Sequence, residues 1–287
     1  MYKTLLAAGT ALGITALANP ANAISVDLDL GEPDSRDGAL VEVVTRTTCS
    51  GYWIWRTCTT RETSTESNIY ATDYTYNIGG DTPLNMTATG WSYDSNSEIV
   101  NDYIGNWSEL GPDYGLGVEV ADSPDHAIDN RNGDYDMILL SFDQAVSLES
   151  ISSGWRGNGN WLNPGTATNS EASLMAFTGD LSDLSSFEGK QWQDLLSEGW
   201  ESAGNTRIDN LNQDTSANSG GLTSRYWLIG AYNANISSTS GFTDGNDFFK
   251  LNGVSVNVNP VPLPGSLLLF GTGLLAFGSL RKRRKTA

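Results

Sequence analysis

Six oxygen-bearing side chains crowd into twelve positions near the middle of this chain: Asp125, Asp129, Asn130, Asn132, Asp134 and Asp136. Carboxylate and amide oxygens at that density are the hard donors that Ca2+ takes six to eight at a time. They make Asp125, Asp129, Asn130 and Asp136 candidate ligands. The EF-hand spacing is not met, because Arg131 falls at the third loop position and no Glu stands at the twelfth. Asp and Asn also build turns by bonding their own backbone. The turn reading therefore comes first and a Ca2+ site second, and no other cofactor is called for. His126, the sole histidine, sits in the same polar stretch. With no G-x-S-x-G elbow there is no nucleophile for a Ser-His-Asp triad, and the histidine reads as a turn residue. H-E-x-x-H, P-loop and dinucleotide fingerprints are absent. Among 34 acidic residues a glycosidase pair can always be imagined, so carboxylates alone do not argue for one. The chain is expected not to be an enzyme.

The second candidate for chemistry is Cys49 with Cys58, the only two cysteines, which enclose an aromatic stretch after the Ser50-Gly51 turn signal. C-x8-C is not a zinc spacing and no histidine lies near. In an oxidising compartment such a pair closes a small hairpin-like loop as a structural disulfide.

The elements around these residues read as strands. Short alternating apolar runs separated by turn chemistry occur at 40–48, 68–77, 84–93, 135–142, 145–151, 172–179, 225–232 and 247–258. The runs "DMILLSF" and "YWLIGAY" are apolar on both faces and belong in the middle of the fold. One stretch differs: Leu181, Leu184, Phe187, Trp192, Leu195 and Leu196 follow helical spacing, with Asp180 placed to cap the first turn and Gly199 to end the second. The expected fold class is all-β, a jelly-roll-like β-sandwich with a short helical insertion near 180–199. Gly-Trp recurs at 90–91, 154–155 and 199–200, but unequal spacing and unlike flanks exclude a repeat array.

Both ends of the chain read as addresses. Lys3, the apolar stretch Leu5 to Leu17 and small residues at Ala21 and Ala23 form a secretory signal peptide over residues 1–23, cut by signal peptidase after Ala23. At the other end, Gly265 to Leu280 is sixteen residues without a charge. As a helix it spans about 24 Å, somewhat short of a bilayer core of roughly 30 Å. Arg281, Lys282, Arg283, Arg284 and Lys285 follow; their long side chains snorkel to make up the deficit, and as a cationic flank they stay cytoplasmic. This is a stop-transfer arrangement, a transmembrane helix ahead of a basic tail. Before it, the alternating prolines of Val261-Pro262-Leu263-Pro264 force an extended, solvated segment that a processing enzyme can reach.

That layout resembles the C-terminal signal of PEP-CTERM proteins in a VPLP variant, with Leu263 where the acidic residue of Pro-Glu-Pro would stand. The resemblance implies processing by an exosortase in a Gram-negative bacterium, through an inner-membrane intermediate, to the cell surface or the extracellular matrix. The block at 114–155, with Gly-Leu-Gly-Val, then His-x-Ile-Asp-Asn, then "ILLSF", and the segments 226–233 and 247–256 are similar to the exosortase-dependent surface protein family. No enzymatic activity comes with that resemblance.

Residues 24–259, the exported domain between the signal peptide and the sorting segment at 260–287, hold all 34 acidic residues against 10 Lys and Arg, a net charge near −24. Nucleic acid and anionic membrane surfaces need a basic footprint and are not expected partners. Two functions remain: a structural or interaction protein of the surface layer or biofilm matrix, and a carbohydrate-binding module acting on exopolysaccharide. Nine Trp and eleven Tyr lend the second some support through sugar stacking.

Overall fold

Strict alternation decides Leu84–Tyr93: Leu84, Met86 and Ala88 turn inward, while Asn85, Thr87 and Thr89 are exposed or half-buried, which is the period-two pattern of a strand. Most of the chain follows the same rule. A computed structural model describes residues 24–31, 33, 35–37, 41–50, 57–66, 70–78, 83–93, 97–107, 114–118, 126–158, 169–181, 184 and 186–258. The strands in chain order are β1 (Ile24–Asp29), β2 (Ser35–Asp37), β3 (Val41–Ser50), β4 (Thr57–Glu66), β5 (Tyr70–Ala71), β6 (Asp73–Ile78), β7 (Leu84–Tyr93), β8 (Ile99–Asp102) and β9 (Ile104–Asn106). They continue with β10 (Leu116–Val118), β11 (Ile128–Asp129), β12 (Met137–Asn158), β13 (Ser170–Phe177), β14 (Trp200–Ile208), β15 (Thr215–Ser216), β16 (Ser224–Ala231) and β17 (Asp247–Val258). All but β3 and β4 join into one antiparallel sheet of 15 strands, whose main path runs β14-β13-β16-β12-β17-β10-β9-β5.

The organising element is β12. The runs expected as two strands, 135–142 and 145–151, are one 22-residue strand, because no Gly or Pro interrupts Phe142 to Ala145. Its first part, Met137–Phe142, lies between β7 and β16; its second, from Val146 onward, pairs with β17. A register shift between Ser141 and Val146 separates the two, as expected where a long strand bends from one set of partners to another.

Two apolar cores result, one on each face of the strands around β12. Ile138, Leu140, Leu174, Trp227 and Ile229 point into the larger, where Leu28, Leu116, Phe249, Leu251, Val254 and Val256 meet them. Met137, Met175, Phe177 and Leu228, at alternate positions of the same strands, point to the other face, into the smaller core. The two-faced apolarity of β12 and β16 thus places them centrally, as their sequences require.

The segment after β13 covers the smaller core, though not as the spacing predicts. Among the described residues the helical part is a 3-10 helix, Trp192–Ser197, capped reciprocally by Gln191 and Asp194 and not by Asp180. With three residues per turn Trp192 and Leu195 share a face and are buried, so Leu196 rotates out to 39 % exposure. Leu181 is 53 % exposed and contributes no buried face. Gly199, at φ +88°, does end the segment as expected. Trp192 is fixed twice, its backbone N–H donating to the Tyr93 hydroxyl (2.9 Å) and its indole N–H to the Tyr135 carbonyl (2.8 Å).

The remaining pair, β3 and β4, forms a separate two-stranded ribbon in a ten-residue antiparallel register that sets Cys49 opposite Cys58. Directly opposed antiparallel positions hold their Cα atoms about 4.5–5.5 Å apart, inside the range a disulfide spans. An isolated ribbon is marginal on its own, so this tie has leverage. Cys49→Ser is expected to lower unfolding stability by about 2–3 kcal/mol, the loop-closure value for ten residues, while leaving the sheet folded. Denaturant titration checks this, and an unchanged midpoint under oxidising conditions would contradict the bridge.

Candidate functional site

The Asp/Asn block runs from the turn at His126 through β11 and a single 3-10 turn, Arg131–Gly133, into β12. Asp129, Asn130 and Asp136 are all buried. The Asp129 carboxylate accepts the Arg131 N–H (2.8 Å), an Asx turn, and its backbone N–H donates to the Asp136 carboxylate (3.1 Å). The Asp136 N–H returns to the Asp129 carbonyl (2.8 Å). Asn130 turns toward a different element. Its amide donates to the Tyr232 carbonyl (2.7 Å) and the Asp247 carboxylate (3.3 Å), and its oxygen accepts the Asp247 N–H (2.8 Å). Asp134 accepts the Tyr93 N–H (3.1 Å). These oxygens hold the entry to β12 against β7 and β17, the work the turn reading assigns them. Among the described residues no group of three or more His, Cys, Asp and Glu is disposed to hold a metal ion. Asp125 lies outside the described residues.

Asn130 leads to a buried acid that the sequence did not flag. Asp247, 1 % exposed, also accepts the Glu171 N–H at 2.7 Å. Burial, with the nearby Glu171 and Asp244 charges adding to it, pushes its carboxyl up to about 7, against the opposing pull of its hydrogen bonds. Glu171 in turn is held by Arg207 at 2.8 Å and accepts the Thr243 N–H.

A second buried ionisable group lies on β17. Lys250, 5 % exposed, places its ammonium 5.0 Å from the ring centre of Trp107 and 5.1 Å from that of Trp155, and donates to the His126 carbonyl. Both tryptophans offer the cation their faces. His126 stacks on Trp107 at 4.7 Å and adopts a positive φ of 63°, so it is a turn residue. The carbonyl fits only because position 117 is glycine, where a Cβ would fall 1.8 Å from the His126 oxygen. A lysine amid the apolar residues of "DFFKLNG" was the visible signal for this site; its aromatic partners lie too far away in sequence to be read.

Among the described residues, hollows open on the surface. One, about 350 Å³, is polar and lined by Asp27, Asp29, Ser152, Asn252 and Ser255 on β1, β12 and β17 and by Asp214 just before β15. Another, about 250 Å³, is apolar and lined by Trp91, Leu139, Leu184, Ser186, Phe187 and Tyr226 at the margin of the smaller core. Trp91 meets Phe187 edge-on at 4.9 Å, and its indole N–H is held by Thr89.

The residues expected to carry the address, Val261, Pro262, Leu263 and Pro264 with the cations Arg281, Lys282, Arg283, Arg284 and Lys285, lie outside the described residues, as does the signal peptide expected at 1–23. Among the described residues no helix is long and apolar enough to cross a membrane. Comparison with curated proteins returns no match. Comparison with protein families returns one, the PEP-CTERM protein-sorting motif, over residues 260–284. That span takes in the alternating prolines, the apolar run and the first four tail cations. Proteins with this motif are exported and sorted to the cell surface, and an exosortase processes them. The chain carries a C-terminal PEP-CTERM protein-sorting motif, and with it the mark of an exosortase-sorted exported protein.

Proposed function

We propose that the chain is a non-catalytic structural or interaction protein of a bacterial surface layer or extracellular matrix. Signal peptidase removes residues 1–23, the tail helix holds the chain in the inner membrane, and an exosortase then releases the domain at 24–259 from its 260–287 segment. That domain is read as a jelly-roll-like sandwich formed from the 15-stranded antiparallel sheet. The sorting motif at 260–284 carries the proposal. The non-catalytic reading is supported by the buried polar groups of the domain: Asn130, Asp129 and Asp136 bond backbone in the loops they join.

A carbohydrate-binding role is the second reading, and the apolar hollow favours it. Trp91 and Tyr226, both half-buried, stand with Leu139 on the adjacent strands β7, β12 and β16, a ring-lined slot for a sugar face. If that slot takes sugar, Trp91→Ala should abolish saturable binding to the host's exopolysaccharide while leaving the melting temperature within a few degrees of the parent. Equal binding by parent and variant, or none by either, returns the choice to the structural role.

A further inference from the structure

The last strand of the domain is held on both edges up to its final residue. Over its second half β17 pairs with β1 on one side, in the unbroken register Asp29/Gly253 to Ile24/Val258. On the other side it pairs with β12, where Val146 stands opposite the same Val258. Val254, Val256 and Val258 are buried in the larger core. The expected first residue of the exported domain, Ile24, thus lies directly opposite Val258, and a single residue, Asn259, separates Val258 from the matched sorting span at 260–284. Of the two restraints on β17, β1 is the lesser. Among the described residues it pairs with no strand but β17. Its side chains at Ile24, Ser25, Asp27 and Asp29 are exposed and Val26 is half-buried, so Leu28 alone is buried along it. On the other side β12 sends Val146, Leu148 and Ile151 into the larger core.

We propose that β1 is a clasp that sets the rate of exosortase processing: while it is seated, β17 is closed to the enzyme up to the border of the sorting motif, and cutting follows its release. An enzyme that takes its substrate as an extended strand satisfies the main chain along a free strand edge. A strand bonded on both edges has none to give. Even fully extended, the three residues from Asn259 to Val261 reach only about 10 Å, so a cleft several residues long must draw on β17 itself. Release of β1 bares one edge of β17 and lets its last residues leave the sheet. Local opening is cheapest where few apolar groups are buried, which describes β1. Where opening and closing are fast relative to cutting, the rate of cutting follows the open population. The clasp joins the first strand of the domain to its last, so it forms only in a chain exported through Val258. The assignment rests on exosortase processing of this chain and adds the element of the fold that controls it.

The test is a pulse-chase of the full chain in its host, following conversion of precursor to the processed surface form. Inserting about six Gly and Ser residues between Asn259 and Pro260 supplies the missing reach and leaves the domain unaltered. The precursor half-life should fall about tenfold, since cutting no longer waits for β1. The opposite variant combines Ser25→Cys with Ser255→Cys, positions whose hydroxyl oxygens lie 3.5 Å apart, so that a disulfide ties β1 down. Its precursor half-life should rise about tenfold and return to that of an equally treated parent when a reductant is added. Adding the insertion to the locked chain should restore fast processing, which a merely misfolded lock would not do. An unchanged half-life in the insertion variant, an unchanged half-life in the locked variant, or a locked chain that stays slow with the insertion would each overturn the clasp while leaving exosortase processing in place. A parent chain that is never processed would overturn the sorting reading, and the clasp with it.

Discussion

Replacing Pro262 and Pro264 together with alanine is expected to leave most of the chain as uncut, membrane-held precursor. Each proline lacks a backbone N–H and fixes φ near −65°, so the pair is expected to keep 261–264 extended ahead of the apolar run. Alanine removes both restraints and is the best helix former. The helix expected from near Gly265 can then extend backward and withdraw the backbone from a protease. A blot of membrane and surface fractions checks this: precursor should accumulate in the membrane and the surface form should fall to a minor fraction. Normal processing of the double variant would count against the proline element as the recognised feature.

The second large effect is a dependence of stability on pH that runs through one residue. Asp247 is raised from 3.8 to about 7 in the folded protein by burial and by the Glu171 and Asp244 charges. A carboxyl whose folded value lies above its unfolded one holds its proton more tightly when folded, so its contribution is intact below the unfolded value and lost as pH rises to the folded value. The window is therefore about pH 4 to about 7. The full loss is about 4 kcal/mol, since each pH unit between the two values is worth about 1.36 kcal/mol. Glu171, held by Arg207, and Asp244, which accepts the Tyr135 hydroxyl and the Ala234 N–H, face the same point. Urea titrations at pH 5 and pH 8 should show the parent losing roughly 2–3 kcal/mol more than Asp247→Asn across that step. Parallel losses in the two proteins would mean that Asp247 is charged throughout.

The strands that could be read in advance are those whose burial is local. Leu84–Tyr93 and Asp247–Val258 form with the limits the sequence predicts; side-chain burial follows parity along the first and along the second from Gly253 on, while Asp247 to Asn252 are buried at every position. The fusion of two expected strands into β12 was less legible, since a bend without Gly or Pro leaves no mark in composition. β4 was missed altogether. Its sequence, TCTTRETSTE, carries no apolar face, and only cross-strand register reveals its role. In the helical insertion the buried pair Trp192 and Leu195 fits a period of three as well as one of 3.6, and Leu196 decides between them only once its exposure is known.

The candidate sites divide along the same line. Sorting signals are read by machinery that meets the chain as a linear string, so Val261–Pro264 and the cationic tail were legible from order alone. The Asp/Asn block was visible as a block, but its roles depend on partners such as Tyr232 and Asp247, more than a hundred positions away from Asn130.

The account rests on the tail being an address and not a permanent anchor, and intact mass spectrometry of the chain recovered from the cell surface tests that most directly. The expected mass is that of a chain beginning at Ile24 and ending near Val261–Pro264, without the apolar run and without Arg281 to Lys285, together with any group added at the new C-terminus. A surface form whose mass still includes the residues through Ala287 would contradict exosortase processing and leave residues 260–287 as a plain membrane anchor.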